Sequence, residues 1–200
     1  MAKIKICGLK RLEDVEIVNK YKPDFVGFVF ADSKRKVTLN LARQMKQNLD
    51  DSIQSVGVFV DAAIDEILEI HKRGIIDMAQ LHGSESDEYI EELRQKSNCQ
   101  LKIINAIEMD DEKDLLEYDN STADYLLFDS GKGSGKTFDW RLIRQDLKKE
   151  FFLAGGLNYQ NISQAINEFD PYAIDLSSSV ETNGYKDELK IKKVMEAMND

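Results

Sequence analysis

Short runs dominated by β-branched and aromatic residues alternate along this chain with longer segments whose apolar residues recur every three or four positions. The runs KIKIC (3–7), DFVGFVF (24–30), SVGVFV (55–60), DMAQLH (77–82), QLKIINAI (100–107), DYLLFD (124–129), FFLAG (151–155) and YAIDLSS (172–178) predict eight strands. Between and after them, RLEDVEIVNK, LARQMKQNL, AIDEILEIHKRG, DEYIEELRQK, DEKDLLEY, DWRLIRQDLK, NISQAINEF and ELKIKKVMEAMN predict helices. Strict alternation implies right-handed crossovers and a parallel sheet covered by helices. Eight units suit closure, so the expected fold class is α/β, a single-domain (β/α)8 barrel over residues 1–200 with short loops. A doubly wound open sheet is the alternative.

In such a barrel, side chains at alternate positions point inward and chemistry gathers at the carboxyl ends of the strands. On the first strand Lys3, Lys5 and Cys7 share one face while Ile4 and Ile6 share the other, so one face is polar. The strand ends supply Cys7, Gln80 with His82, Asp129, and Asp175 with Ser177. Each alone also fits a cap or a turn residue. Together they bring a thiol, an imidazole and two carboxylates to one rim.

Composition narrows the classes. The 42% hydrophobic content of the 200 residues suits a folded domain, and no run of ~18 apolar residues is present to span a bilayer. The opening MAKIKICG enters a strand without the apolar core of a signal peptide, so the expected compartment is the cytoplasm, with no membrane partner. The two cysteines, Cys7 and Cys99, lie far apart and without metal-type spacing, so neither a disulfide framework nor a metal site is expected. A net charge of −10 argues against nucleic acid as a partner. An anionic small molecule would have to be held by local backbone dipoles and a few chosen cations.

Two loops fit that requirement. AGGLN (154–158) follows the seventh strand and DLSSSVE (175–181) the eighth, where barrels of this kind often bind phosphate. Glycine lets the backbone approach the anion, and serine adds hydroxyl donors. Asn158 also reads as a helix cap. GKGSGKT (131–137) imitates the tail of a Walker A loop, but the motif's first glycine should stand at position 130, which is Ser130. It reads instead as a basic loop after Asp129.

In order along the chain, KICGL, DFVGFVF, VGVFV, QLHG, LLFDS, GKTFDW, LAGGLN and DLSSSVE resemble the phosphoribosylanthranilate isomerases of tryptophan biosynthesis, over nearly the whole length. The resemblance implies a metal- and cofactor-free barrel that carries out an Amadori rearrangement of N-(5-phosphoribosyl)anthranilate. It implies Cys7 as general base and Asp129 as general acid. Arg35 matches the arginine for the anthranilate carboxylate, His82 and Asp175 match residues lining the substrate, and Gly155, Gly156, Ser177 and Ser178 match the phosphate cradle. The acid then needs a carboxyl less acidic than ordinary, and the base a thiol more acidic than ordinary. Lys5 is expected either to favour the thiolate or to pair with an inward carboxylate. Two positions depart from the family pattern: Lys34 stands for a proline beside Arg35, and Ser179 stands for a glycine, which would strain the loop if that glycine has positive φ. Alternatives are another sugar-phosphate isomerase on the same barrel, which would use two aspartates, and a non-catalytic phosphosugar-binding barrel. A monomer is expected ahead of a homodimer.

Overall fold

The computed structural model describes residues 2–109, 116–129 and 147–198. Eight parallel strands close on themselves in sequence order: β1 (Lys3–Cys7), β2 (Phe25–Val29), β3 (Gln54–Phe59), β4 (Met78–Leu81), β5 (Lys102–Glu108), β6 (Tyr125–Asp129), β7 (Phe151–Leu153) and β8 (Ala173–Leu176). β1 pairs with β2 on one side and with β8 on the other, which completes the barrel. The open-sheet alternative is excluded.

Among the described residues, seven α-helices follow the strands: α1 (Leu12–Tyr21), α2 (Leu39–Asn48), α3 (Ile64–Lys72), α4 (Asp87–Lys96), α5 (Leu116–Asp119), α6 (Ile162–Phe169) and α7 (Glu188–Ala197). Local chemistry starts several of them. Thr38, Ser86 and Asp187 each accept a hydrogen bond from a backbone N–H three residues on, satisfying a donor that the first turn leaves without a partner. At α6 the cap is Asn161 rather than Asn158. Asn158 instead accepts from the Gln160 N–H at 2.9 Å, forming the turn that precedes the helix. Residues 139–146 of the predicted helix over 139–148, residues 111–115 of that over 111–118, and the GKGSGKT loop lie outside the described residues.

The barrel separates two cores. Ile4, Ile6, Val26 and Phe28 point outward and pack beneath helical residues such as Val15, Met45 and Ile67. Phe25, Val56, Met78, Ile104, Leu127 and Phe152 fill the interior. At the end where the strands begin, Tyr125 stacks on Tyr172 with ring centroids 4.7 Å apart, and Phe25 lies 5.4 Å from Phe152. Lys3 Nζ sits over the Tyr172 ring, 4.5 Å from its centroid. That end is packed shut.

The polar face of β1 points inward. Lys5 is fully buried in mid-barrel, where its Nζ donates to Asp175 Oδ2 at 2.8 Å and Gln80 Oε1 at 2.9 Å. An ammonium buried without such partners would be strongly destabilising. One element has no counterpart in the predicted set. After β8 the chain makes a 3₁₀ turn (Ser178–Val180) and then a small antiparallel hairpin of β9 (Glu181–Thr182) and β10 (Tyr185–Lys186) before entering α7.

Candidate active site

At the carboxyl ends of the strands lies a cavity of about 670 Å³. Cys7, Arg35, His82, Asp129, Gly155, Gly156, Asp175, Ser177 and Ser178 all line it, although they come from six different strands or the loops after them.

Cys7 ends β1 and packs with Val29 and Val58. Its neighbour across the sheet is Gly27, and a Cβ there would stand 2.6 Å from the Cys7 sulfur, so the missing side chain is what makes room for the thiol. Burial pushes the Cys7 thiol up. Lys5 and Lys186 pull the other way, Asp175 adds to the upward push, and the result is a thiol less acidic than ordinary. This reverses the shift expected from the sequence, because desolvation outweighs the nearby cations. Lys5 fulfils the ion-pair expectation with Asp175. Burial alone would lower it, but Asp175 and Cys7 more than offset that and hold it above its ordinary value.

A polar chain crosses the barrel from Lys5. Gln80 accepts from Lys5 through Oε1, which leaves its amide nitrogen to donate to His82 Nδ1, 3.2 Å away. In the neutral ring that fixes the proton on Nε2, the atom 3.7 Å from Asp129 Oδ2. The imidazole is thereby aimed at the carboxyl group. Asp175 gives Oδ2 to Lys5, while its Oδ1 is buried with no hydrogen-bond partner among the described residues.

Arg35 sits in the loop after β2. Ser33 shapes that loop without the family's proline: its hydroxyl accepts from the Arg35 N–H at 3.1 Å and its carbonyl from the Lys36 N–H at 3.1 Å. The arginine stem runs over Gly8, where a Cβ would lie 2.4 Å from Arg35 Cδ. Its guanidinium donates through Nε and Nη2 to the two oxygens of Glu181, at 2.8 and 2.9 Å. Those bonds occupy one edge of the planar fork and leave the Nη1 side for another acceptor.

Gly155 and Gly156 both have positive φ, 82° and 66°, so backbone rather than side chain forms that part of the wall. Gly156 O is held by Asn161 Nδ2 at 3.1 Å. Ser179 lies inside the 3₁₀ turn and is not among the positive-φ residues, so the strain expected there does not arise.

Three contributors escaped the sequence reading. Glu181 closes the motif DLSSSVE but carries no signal that it grips Arg35. Lys186 is fully buried and donates to Glu181 at 2.8 Å and to the Ser177 carbonyl at 3.1 Å. Gly27 reads as an ordinary glycine within a strand.

Residues 4–197 match the family model for N-(5'phosphoribosyl)anthranilate (PRA) isomerase. The chain is 48% identical over 196 residues to an N-(5'-phosphoribosyl)anthranilate isomerase of Endomicrobium trichonymphae, covering 96% of this chain and 95% of that one. It is 44% identical to that of Clostridium acetobutylicum, with 96% of each covered. Among solved structures, the phosphoribosyl anthranilate isomerase of Thermotoga maritima superposes with a TM-score of 0.88 at 35% identity, over 100% of this chain and 99% of that one. A phosphoribosyl anthranilate isomerase solved with reduced 1-(o-carboxyphenylamino)-1-deoxyribulose 5-phosphate superposes with a TM-score of 0.86 at 33% identity, again over 100% and 99%.

Proposed function

Because the chain belongs to the PRA isomerase family, we propose that Cys7 and Asp129 are its proton-transfer pair and that the cavity between them receives N-(5-phosphoribosyl)anthranilate. The protein is an aldose–ketose isomerase of tryptophan biosynthesis, and its product is 1-(2-carboxyphenylamino)-1-deoxyribulose 5-phosphate. Asp129, as the neutral acid, gives its proton to the ribose ring oxygen as the bond from that oxygen to C1′ breaks. The anilino nitrogen supplies the electron pair and a Schiff base results. Cys7, as thiolate, then takes the proton from C2′, and the electrons of that bond form the enolamine, which tautomerises to the ketone. Each step moves a proton between the chain and the substrate, and none requires a metal or a redox cofactor.

The remaining residues bind. Arg35 offers its outer edge to the anthranilate carboxylate as a paired, charge-assisted contact. Gly155, Gly156, Ser177 and Ser178 receive the phosphate. The unpaired Asp175 Oδ1 accepts from a ribose hydroxyl, and His82 Nε2–H steers Asp129 toward the ring oxygen. The proposed setting is the cytoplasm, with the enzyme as a monomer. No helix among the described residues is long and apolar enough to cross a membrane.

The observation that carries the reading is the convergence of Cys7 and Asp129 on one cavity that also exposes Arg35 at its mouth and the two loops after β7 and β8. A barrel that only bound a phosphosugar would have no use for both proton-transfer groups. The test is turnover of freshly made substrate, followed by loss of its fluorescence, in Cys7→Ser and Asp129→Asn. Both variants should bind a reduced product analogue at close to wild-type affinity while losing most of kcat. Wild-type turnover in either folded variant would remove that residue from the mechanism.

A further inference from the structure

A lysine with no exposed side chain is a costly thing to build into a domain of this size, and an ion pair beneath the surface is weak evidence of a contribution to stability. Lys186 is such a residue. It sits on β10, outside the barrel proper and away from the cavity lining, yet the phosphate loop and the acceptor of Arg35 meet at its ammonium group. It donates to the carbonyl of Ser177 in the phosphate loop and to Glu181 Oε1. Glu181 in turn grips Arg35 through both oxygens. The cluster reaches the thiol through Arg35, whose stem crosses Gly8, the residue next to Cys7.

We infer that Lys186 is a positioning residue of the reaction: from behind the site it ties the phosphate loop to the Glu181–Arg35 pair, whose arginine crosses Gly8 beside the base, and adds a positive charge to that cluster. The inference rests on the role proposed for Cys7.

The charge count supports it. The charged groups that act on Cys7 are Lys5 on its own strand, Asp175 on β8 and Lys186 on β10, with Arg35 over Gly8 and Glu181 beside it. His82 and Asp129 stand elsewhere on the same cavity wall. Among the described residues, Lys5 pairs with Asp175, and Lys186 and Arg35 share Glu181, so three cations meet two carboxylates in these pairs. The third cation is left to face Cys7 when it loses its proton in the role proposed for it. Burial alone raises the thiol, and Lys186 is one of the two cations that counter it most. Glu181, held near 2 by Arg35 and Lys186 against its own burial, stays ionised and keeps the arginine fixed. Without Lys186 the thiolate would lose a counter-charge and Glu181 would lose one of its anchors.

The experiment reads Cys7 itself rather than catalysis alone. In a Cys99→Ser background Cys7 is the sole thiol, and its rate of alkylation by iodoacetamide is followed against pH. In Lys186→Met the midpoint should move to higher pH, and in Lys186→Arg, which keeps the charge, it should stay close to wild type. In parallel, kcat/KM at pH 7 should fall about threefold or more in the methionine variant and recover in the arginine variant. A folded Lys186→Met protein whose alkylation midpoint equals wild type overturns the inference, whatever its turnover. Should that variant fail to fold, Lys186→Gln, which keeps an N–H donor for Ser177 and Glu181 but carries no charge, takes its place, and an unshifted midpoint there overturns the inference equally. Failure of the base assignment would appear separately, as turnover in Cys7→Ser.

Discussion

Adding one methyl group at Gly27 should cripple the enzyme while leaving the barrel standing. An alanine Cβ there would lie 2.6 Å from Cys7 Sγ, 3.0 Å from Cys7 Cα and 3.2 Å from Cys7 Cβ. Ordinary non-bonded contacts are about 3.5 to 4.0 Å, so either the sulfur or the two strands must move by roughly 1 Å. Overpacking of this kind costs about 1 to 3 kcal/mol of stability. A displacement of about 1 Å in a proton-transfer group is enough for a loss of ~10²-fold in rate. Gly57→Ala is the control, because its Cβ would meet Phe59 at 2.7 Å and Ile76 at 3.0 Å, in the layer between sheet and helices and remote from the thiol. Both variants should lose comparable amounts of stability in urea. Only Gly27→Ala should lose kcat in the fluorescence assay. Full kcat in Gly27→Ala, or an equal loss in Gly57→Ala, would refute the view that this close approach sets the position of the base.

The anion site offers a further check: inorganic phosphate should compete with substrate and raise the melting temperature by binding the folded state, while Gly156→Asp should raise KM steeply by placing a like charge at the rim. If phosphate does neither and Gly156→Asp keeps the wild-type KM, the loops after β7 and β8 are ordinary turns. The Arg35–Glu181–Lys186 cluster predicts an acid limit to stability. Glu181 titrates near 2 when folded and at about 4.3 when unfolded, so its contribution, about 3 kcal/mol at most, is present above the unfolded value and is lost as pH falls from there toward 2. Chemical denaturation across that range should show wild type losing stability more steeply than Glu181→Gln, and parallel curves would contradict it.

The barrel was legible because its signal is local and repeated. Each strand announces itself within a few residues, and alternation of strand and helix admits few topologies. Cys7, Asp129 and Asp175 could be placed on a rim for the same reason: strand ends are readable, and barrels put chemistry there. Partnership across the chain was not readable. The contact between Lys5 and Asp175 joins residues separated by 170 positions, and nothing in KIKIC says which carboxylate will face the lysine. Arg35 and Glu181 are 146 positions apart, and the hairpin that carries Glu181 has strands of two residues each, too short for any periodicity. The direction of the Cys7 shift was missed because it depends on how much solvent the fold removes, a property of the assembled barrel and not of neighbouring residues.

The aromatic floor under Lys5 has a consequence for traffic. With Tyr125, Tyr172, Phe25 and Phe152 packed across the far end, the described residues leave no way through the barrel, and what enters at the strand carboxyl ends leaves from that same end. A reaction with two substrates, or one that released a fragment, would have molecules waiting on one another at that single entrance. An isomerisation has one guest at a time, and the product carries the same atoms out that the substrate brought in. Release therefore vacates the room completely, and accumulated product competes with substrate for nothing more elaborate than the right to stand in the door.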